Sequence, residues 1–152
     1  MQGYQEYCRT PLGLLQIYAK DSGITRIAFA DAVSWQRPNV WTTQCIRQLQ
    51  EYFDGLRKEF TLPLVLEGTV FQRRVWQALR EIPYGETCSY QDIAMMIDQP
   101  KACRAVGMAN NRNPIVIVIP CHRVIGKNKA LVGYGGGLKR KEYLLKLEKN
   151  VK

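Results

Sequence analysis

Hydrophobic and polar residues interleave in two early runs, GLLQIYAK (13–20) and ITRIAFA (24–30), both rich in branched and aromatic side chains. The DSG between them suits a hairpin turn, so the pair reads as two strands. The period then changes. Along TTQCIRQLQEYFDG (42–55) and just past it, Ile46, Leu49, Phe53 and Leu56 recur at helical spacing, with a threonine to cap the start and Gly55 near the end. FTLPLVL (60–66) reads as an extended connector broken by its proline. TVFQRRVWQALREI (69–82) is an amphipathic helix stopped by Pro83 and Gly85. SYQDIAMMI (89–97) opens with Ser89 and places Asp92 at the third position after it, a capping box. PKACRAVGMANN (100–111) follows after a very short turn, with Pro100 suited to a first helical turn. PIVIVIP (114–120) is apolar on both faces and predicts a short buried strand. GYGGG (133–137) must be a loop, and LKRKEYLLKLEK (138–149) predicts a closing helix. There is no internal repeat and no low-complexity segment.

Strands first and helices later predict a mixed α/β (α+β) chain. The 152 residues suffice for one medium or two small domains, and 46% hydrophobic residues supply a core. Charge sharpens the division. Residues 1–66 hold seven Lys/Arg and six Asp/Glu, whereas 67–152 hold the remaining fifteen and seven, so almost all of the net +9 lies in the second part. That part is the expected anion-facing one, with a merely solubilising surface as the plain alternative. The opening MQGYQEYCRTPLG has no signal-type apolar run, and no stretch approaches the roughly 18 apolar residues of a membrane span, so a soluble, cytoplasmic protein is expected. The five cysteines are scattered without a C-x-x-C pair, which argues against disulfides; a single histidine argues against a structural zinc.

Two short helices joined by a tight turn in the basic part suggest a helix-turn-helix, with 90–97 as support and about 100–111 as recognition helix. The second helix is lined with small residues, Ala102, Cys103, Ala105, Gly107 and Ala109, among which Arg104 stands alone. The small residues either let the helix approach a partner closely or pack on the protein's own core. Next comes VIVIPCHRVIG (116–126), where the apolar run stops at Pro120, Cys121, the lone His122 and Arg123. A thiolate is the reactive form of cysteine, and cationic neighbours favour it. Successive strand residues point to opposite faces, so His122 serves Cys121 only if the chain bends or a water intervenes; Pro120 gives a reason to bend. A carboxylate is the usual orienter of such an imidazole. Otherwise Cys121 is a small buried hydrophobe and His122 a structural residue.

PYGETCSYQDIA, RAVGMANNRNP, IPCHRV, GYGGG and a late glutamate, in this order and spacing across 69–148, resemble the O6-alkylguanine-DNA alkyltransferases, the methylated-DNA–protein-cysteine methyltransferases. The first 66 residues match only in length and element order. The resemblance implies an N-terminal ribonuclease-H-like α/β domain (1–66) and a mostly helical, winged-helix-like domain (67–152) carrying the helix-turn-helix. It implies DNA repair by a single irreversible transfer of the alkyl group from O6-alkylguanine, and from O4-alkylthymine as a second candidate lesion, to Cys121. His122 would take the thiol proton through a water and Glu148 would orient the imidazole. Tyr90 would donate to the leaving base, and Asn113 would tie the recognition helix to the active segment. Arg104 would fill the place of the flipped nucleotide. Ala102, Cys103, Ala105, Gly107, Ser89, Arg112 and Arg123 would meet DNA in the minor groove. Val116, Tyr134, Gly135 and Gly136 would wall the alkyl pocket; many relatives carry serine where Gly135 stands, and the wider pocket implies tolerance of larger groups. No cofactor and no metal is implied, and the expected state is a monomer on double-stranded DNA. An intracellular, reducing compartment is expected, nuclear in a eukaryote. Two other readings stay open: an alkyltransferase-like module that binds damage without transfer, disfavoured by the presence of Cys121, and a winged-helix regulator with an incidental Cys-His pair.

Overall fold

The computed structural model describes residues 3–126, 134 and 137–150. The chain forms two compact units, Met1–Glu67 and Gly68–Lys152.

The first unit is a three-stranded antiparallel sheet in the order β1–β2–β3 (Tyr4–Thr10, Gly13–Lys20, Gly23–Ala30), covered by helix α1 (Val40–Phe53). The hairpin from β2 to β3 turns at Asp21 and Ser22 as its sequence predicts. Gly23 is required there: its φ is +153°, and a Cβ would lie 2.5 Å from the Pro63 carbonyl oxygen. β1 went unseen in the sequence because its two buried residues, Gln5 and Cys8, lie three apart and so on opposite faces, which leaves no alternating apolar row. Gln5 is 2% exposed and is made tolerable there by hydrogen bonds to Trp35 O and from Gln16. α1 begins earlier than predicted. Asn39, not a threonine, is its N-cap, accepting from the Trp41 and Thr42 amides while the Thr42 hydroxyl accepts from the Asn39 amide. Its inner stripe is Thr42, Cys45, Gln48, Leu49 and Tyr52, so of the four predicted stripe residues Leu49 alone is fully buried, and Leu56 is 79% exposed beyond the helix end.

The second unit stacks α2 (Val70–Leu79), α3 (Tyr90–Met96) and α4 (Cys103–Asn111), followed by a 3₁₀ turn (Cys121–Arg123) and α5 (Leu138–Asn150). A two-residue strand β4 (Cys88–Ser89) pairs in parallel with β5 (Val124–Ile125), which fixes the segment after Cys121 beside the start of α3. Thr69 and Gln72 form a capping box on α2, and Ser89 and Asp92 form the predicted one on α3. Val75, Trp76 and Leu79 bury one face of α2, and the Trp76 indole N–H donates to Ala109 O at 2.9 Å, joining α2 to α4. α4 starts at Cys103, after Pro100; Asp98, at φ 62°, closes α3 with the left-handed residue that aspartate tolerates. Among the described residues no helix is long and apolar enough to cross a membrane.

Candidate functional site

The predicted strand 114–120 is not a strand. The Val118 amide donates to Val116 O at 2.8 Å and the Ile119 amide to Ile115 O at 3.0 Å, so the chain doubles back. Ile117, the centre of the first of these turns, sits at φ 73°. This is the left-handed γ-turn, strained for any side chain and most of all for a branched one, at about 1–3 kcal/mol. A second, relaxed γ-turn follows at Pro120 (φ −80°, ψ 63°), where the Cys121 amide donates to Ile119 O at 2.8 Å. Ile117 and Ile119 are 1% and 0% exposed, and this burial holds the strained turn in place. Asn113 spans it: its Nδ2 donates to Ile119 O at 2.7 Å and its Oδ1 accepts from the Ile115 amide at 2.9 Å. Thus the bend expected at Pro120 is present, and the residue that follows it is the cysteine.

Cys121, His122 and Arg123 lie on the 3₁₀ turn with 2%, 0% and 7% exposure. His122 Nε2 is 2.6 Å from Glu148 Oε2. Arg123 grips the same carboxylate with two hydrogen bonds, Nε to Oε1 at 2.8 Å and Nη2 to Oε2 at 3.0 Å, and Nη1 donates to Ile82 O at 2.7 Å. The Gly85 amide adds a donor to Glu148 Oε1 at 3.3 Å. Arg123 was expected to touch DNA and to help ionise the thiol. Instead it is buried and spent on Glu148, because a carboxylate sealed in the unit needs a fixed countercharge.

These contacts set the protonation states. Burial alone would raise the Glu148 pKa, but the hydrogen bonds and charges of His122 and Arg123 hold it well below the carboxylate range. Burial lowers the His122 pKa against the pull of Glu148, and Arg123 and Lys141 lower it further. The site is therefore an ionised Glu148, a charged Arg123 and a neutral imidazole. An ionised carboxylate accepts only, so His122 must carry its proton on Nε2. That leaves Nδ1, buried and without a hydrogen-bond partner among the described residues, as a bare lone pair.

The thiol is not pre-ionised. Burial raises the Cys121 pKa to about 11, against the lowering effects of a hydrogen bond from Asn113 and the charge of Lys141. Lys141 is the cation that the sequence reading missed. It is 0% exposed, and its Nζ donates to Val124 O at 2.6 Å. A signal existed: Lys141, Leu144 and Glu148 form one helical row in α5, so two charges share the buried face with a leucine. Tyr90 and Tyr134 both lie close enough to the sulfur for a negative Cys121 to raise their pKa, after burial as the larger cause. Tyr90 opens α3, and a Cβ on Gly107 would touch its ring at 3.9 Å. Val116 is half-buried in the turn, while Gly135 and Gly136 lie outside the described residues. Asn110, on the last turn of α4, donates from Nδ2 to Cys121 O at 3.4 Å.

α4 divides as an interface helix should. Arg104, Ala105, Met108 and Arg112 are exposed, while Val106, Ala109 and Asn110 are buried. Gly107 faces Tyr90 and Ala109 is buried, so these two small residues pack on the protein's own core, while Ala105 is exposed. A hollow of about 210 Å³ beside the exposed face is lined by Phe71, Gln72, Ala105, Met108 and Arg112. Ala102 and Cys103 are half-buried; the Cys103 thiol donates to Gln91 Oε1 at 2.8 Å. The Ser89 hydroxyl is engaged as the α3 cap.

Comparison with known proteins matches the same two segments. Residues 4–66 match the ribonuclease-like domain of 6-O-methylguanine DNA methyltransferase, and residues 70–150 match its DNA-binding domain. The chain is 46% identical to a methylated-DNA–protein-cysteine methyltransferase of Methanosarcina barkeri, over 97% of this chain and 98% of that protein. It is 48% identical to the constitutive one of Bacillus subtilis, over 96% and 95%. Among solved structures it is similar to the O6-methylguanine methyltransferase of Mycobacterium tuberculosis, with TM-score 0.90, 43% identity and coverage of 99% and 94%. A second structure from that organism, in complex with DNA, gives TM-score 0.88 at 46% identity, covering 95% and 91%.

Proposed function

Because the chain belongs to the 6-O-methylguanine DNA methyltransferase family, we propose that the site around Cys121 repairs DNA by taking the alkyl group of O6-alkylguanine onto its own sulfur. The observation that carries this is the bare Nδ1 of a histidine whose tautomer is locked by Glu148, on the residue next to the buried thiol.

The chemistry follows from that arrangement. A thiol with its pKa near 11 loses its proton only to a base held ready, and His122 Nδ1 is that base, directly or through a water. As the proton leaves, Lys141 offsets the charge on sulfur and Glu148 offsets the charge on the imidazolium. The sulfur attacks the alkyl carbon opposite O6. The Sγ–C bond forms while the C–O6 bond breaks, and the electron pair of that bond goes to the base. Tyr90, kept protonated by its raised pKa, donates to the departing guanine, and the proton removed from sulfur balances its charge. The product is a thioether, and no described group at the site cleaves one, so each chain acts once.

The lesion reaches a buried thiol only outside the base stack. Arg104, exposed on α4, takes the vacated place, while the small Ala105 beside it permits the close approach that a narrow minor groove demands. We place one monomer on each lesion, inside the cell, where a reducing environment keeps the acceptor thiol free.

The test is intact mass after incubation with duplex DNA carrying O6-methylguanine. A gain of one methylene per chain, absent in Cys121→Ser, is expected. Tight binding to the damaged duplex with unchanged mass would make the protein a damage-binding module, and preference for an undamaged sequence would make it a regulator.

A further inference from the structure

Arg104, Met108 and Arg112 follow one another at intervals of four residues, and so form one row along the outer side of α4. The ends of the row are cations. Its centre is a large apolar side chain left 60% exposed. Residues 99–113 hold three cations, Lys101, Arg104 and Arg112, and no carboxylate, so the border of this face suits a polyanion. Met108 is not an isolated apolar residue. With Ala105 and the half-buried Phe71 it edges the hollow of about 210 Å³, an apolar strip inside the cationic border. A partner for this face therefore carries negative charge at its margins and a less polar surface between them.

The minor groove of a duplex has that form, with phosphates along its walls and base edges on its floor. It is about 6 Å wide, and an unbranched, flexible thioether enters such a slot more readily than a branched or aromatic side chain. Every base pair shows acceptors on that floor, and a guanine adds its 2-amine. A thioether sulfur is a weak acceptor, so an amine pressed beneath it loses water and gains little in return. One turn of helix separates Met108 from Arg104 by roughly 6 Å, or about two base-pair steps. We propose that Met108 seats on the minor-groove floor beside the extruded nucleotide and makes repair faster where the neighbouring pair lacks a 2-amine. This rests on the alkyl-transfer reading above, with Arg104 in the vacated place.

The experiment compares second-order rates of methyl transfer, read by intact mass, on duplexes carrying O6-methylguanine. Adenine is replaced by 2,6-diaminopurine at successive pairs on either side of the lesion, which adds an amine to the minor groove and leaves the major groove unchanged. In wild type the added amine should slow transfer about threefold or more at a position on one side of the lesion, because α4 extends from Arg104 in one direction. Stronger pairing of the new base acts on every variant alike, so the difference between variants isolates the side chain. In Met108→Ala the ratio of the two rates should fall to within about twofold, and in Met108→Gln, of equal length but with an acceptor, to one or below. Wild-type rates indifferent to the amine overturn the assignment, as does an equal effect on both sides. So does a ratio undiminished in Met108→Ala or Met108→Gln, which would trace the effect to pairing strength, and so do variants slowed equally on every duplex. Unchanged mass with all duplexes would instead fell the transfer reading itself, a result distinct from an active protein that ignores the neighbouring pair.

Discussion

At neutral pH the proton on Cys121 is held by burial, and three side chains work against that hold. Lys141 contributes charge, His122 contributes a lone pair and Asn113 a hydrogen bond. Replacing Lys141 with methionine keeps the bulk and removes the charge. The thiol pKa then rises, and since one pKa unit corresponds to a factor of ten in thiolate, transfer at pH 7 should slow roughly tenfold. Stopped-flow rates should show a deficit that holds steady up to about pH 10 and shrinks only as the pH approaches 11, where the wild-type thiol titrates; an unchanged rate at pH 7 would mean that Lys141 merely ties α5 to Val124. Lys141 shows in the sequence only as a charge on the leucine row of α5, and the redirection of Arg123 has no local signal at all. A cysteine flanked by His and Arg in sequence suggests a sulfur bathed in positive charge. Which way each side chain turns is decided by a carboxylate that enters from a distant helix.

Among the elements, the turn before the nucleophile is the one whose conformation the pattern misreports. PIVIVIP has the composition of a buried strand, and burial is what it achieves, but hydrophobic periodicity carries no information on the sign of φ. Ile117 at φ 73° can be checked by stability measurements on two truncations. Elsewhere glycine is less stable than alanine by about 0.5–1 kcal/mol. Here the order should reverse, with Ile117→Gly more stable than Ile117→Ala by about 1 kcal/mol in urea titrations, because alanine must pay for the left-handed conformation that glycine takes freely. The helices, by contrast, were legible wherever capping and amphipathic period agreed, as in α2 and α3. α1 was misphased because Cys45, Gln48 and Tyr52 make its inner face, and a buried glutamine is invisible until Thr61 is seen to satisfy it. On α4, Arg104→Ala should slow repair of a duplex lesion by roughly ten- to a hundredfold, the scale of a lost unstacking contribution, while dealkylation of a free O6-benzylguanine base stays near wild type. Equal loss on both substrates would contradict the extrusion role.

For the molecule as a whole, Glu148 is a point of acid sensitivity. Its folded pKa lies below the ordinary 4.5, so it stabilises the fold above that value and the contribution is lost as pH falls below it. His122, depressed from its ordinary 6.5, adds in the same direction: below 6.5 the unfolded chain takes a proton that the folded one refuses. Glu148→Gln should therefore be destabilised at pH 7 by about 3–5 kcal/mol, since Arg123 is left buried and unpaired. The gap to wild type should narrow from pH 4.5 toward pH 2 in denaturant titrations; a gap that does not change would remove Glu148 from this role. The division of strands, helices and charge between the two units was open to a reader of the sequence, because amphipathic patterns and ion counts need no knowledge of tertiary contacts.

Trp76 gives the molecule an optical property. Its indole is 2% exposed and is bonded to Ala109 O, one residue before the amide that holds Cys121 O. The other two tryptophans, Trp35 and Trp41, belong to the first unit. With both replaced by phenylalanine, Trp76 is the remaining indole, and a change in its emission on reaction with O6-methylguanine DNA is the expected dye-free readout of alkyl arrival.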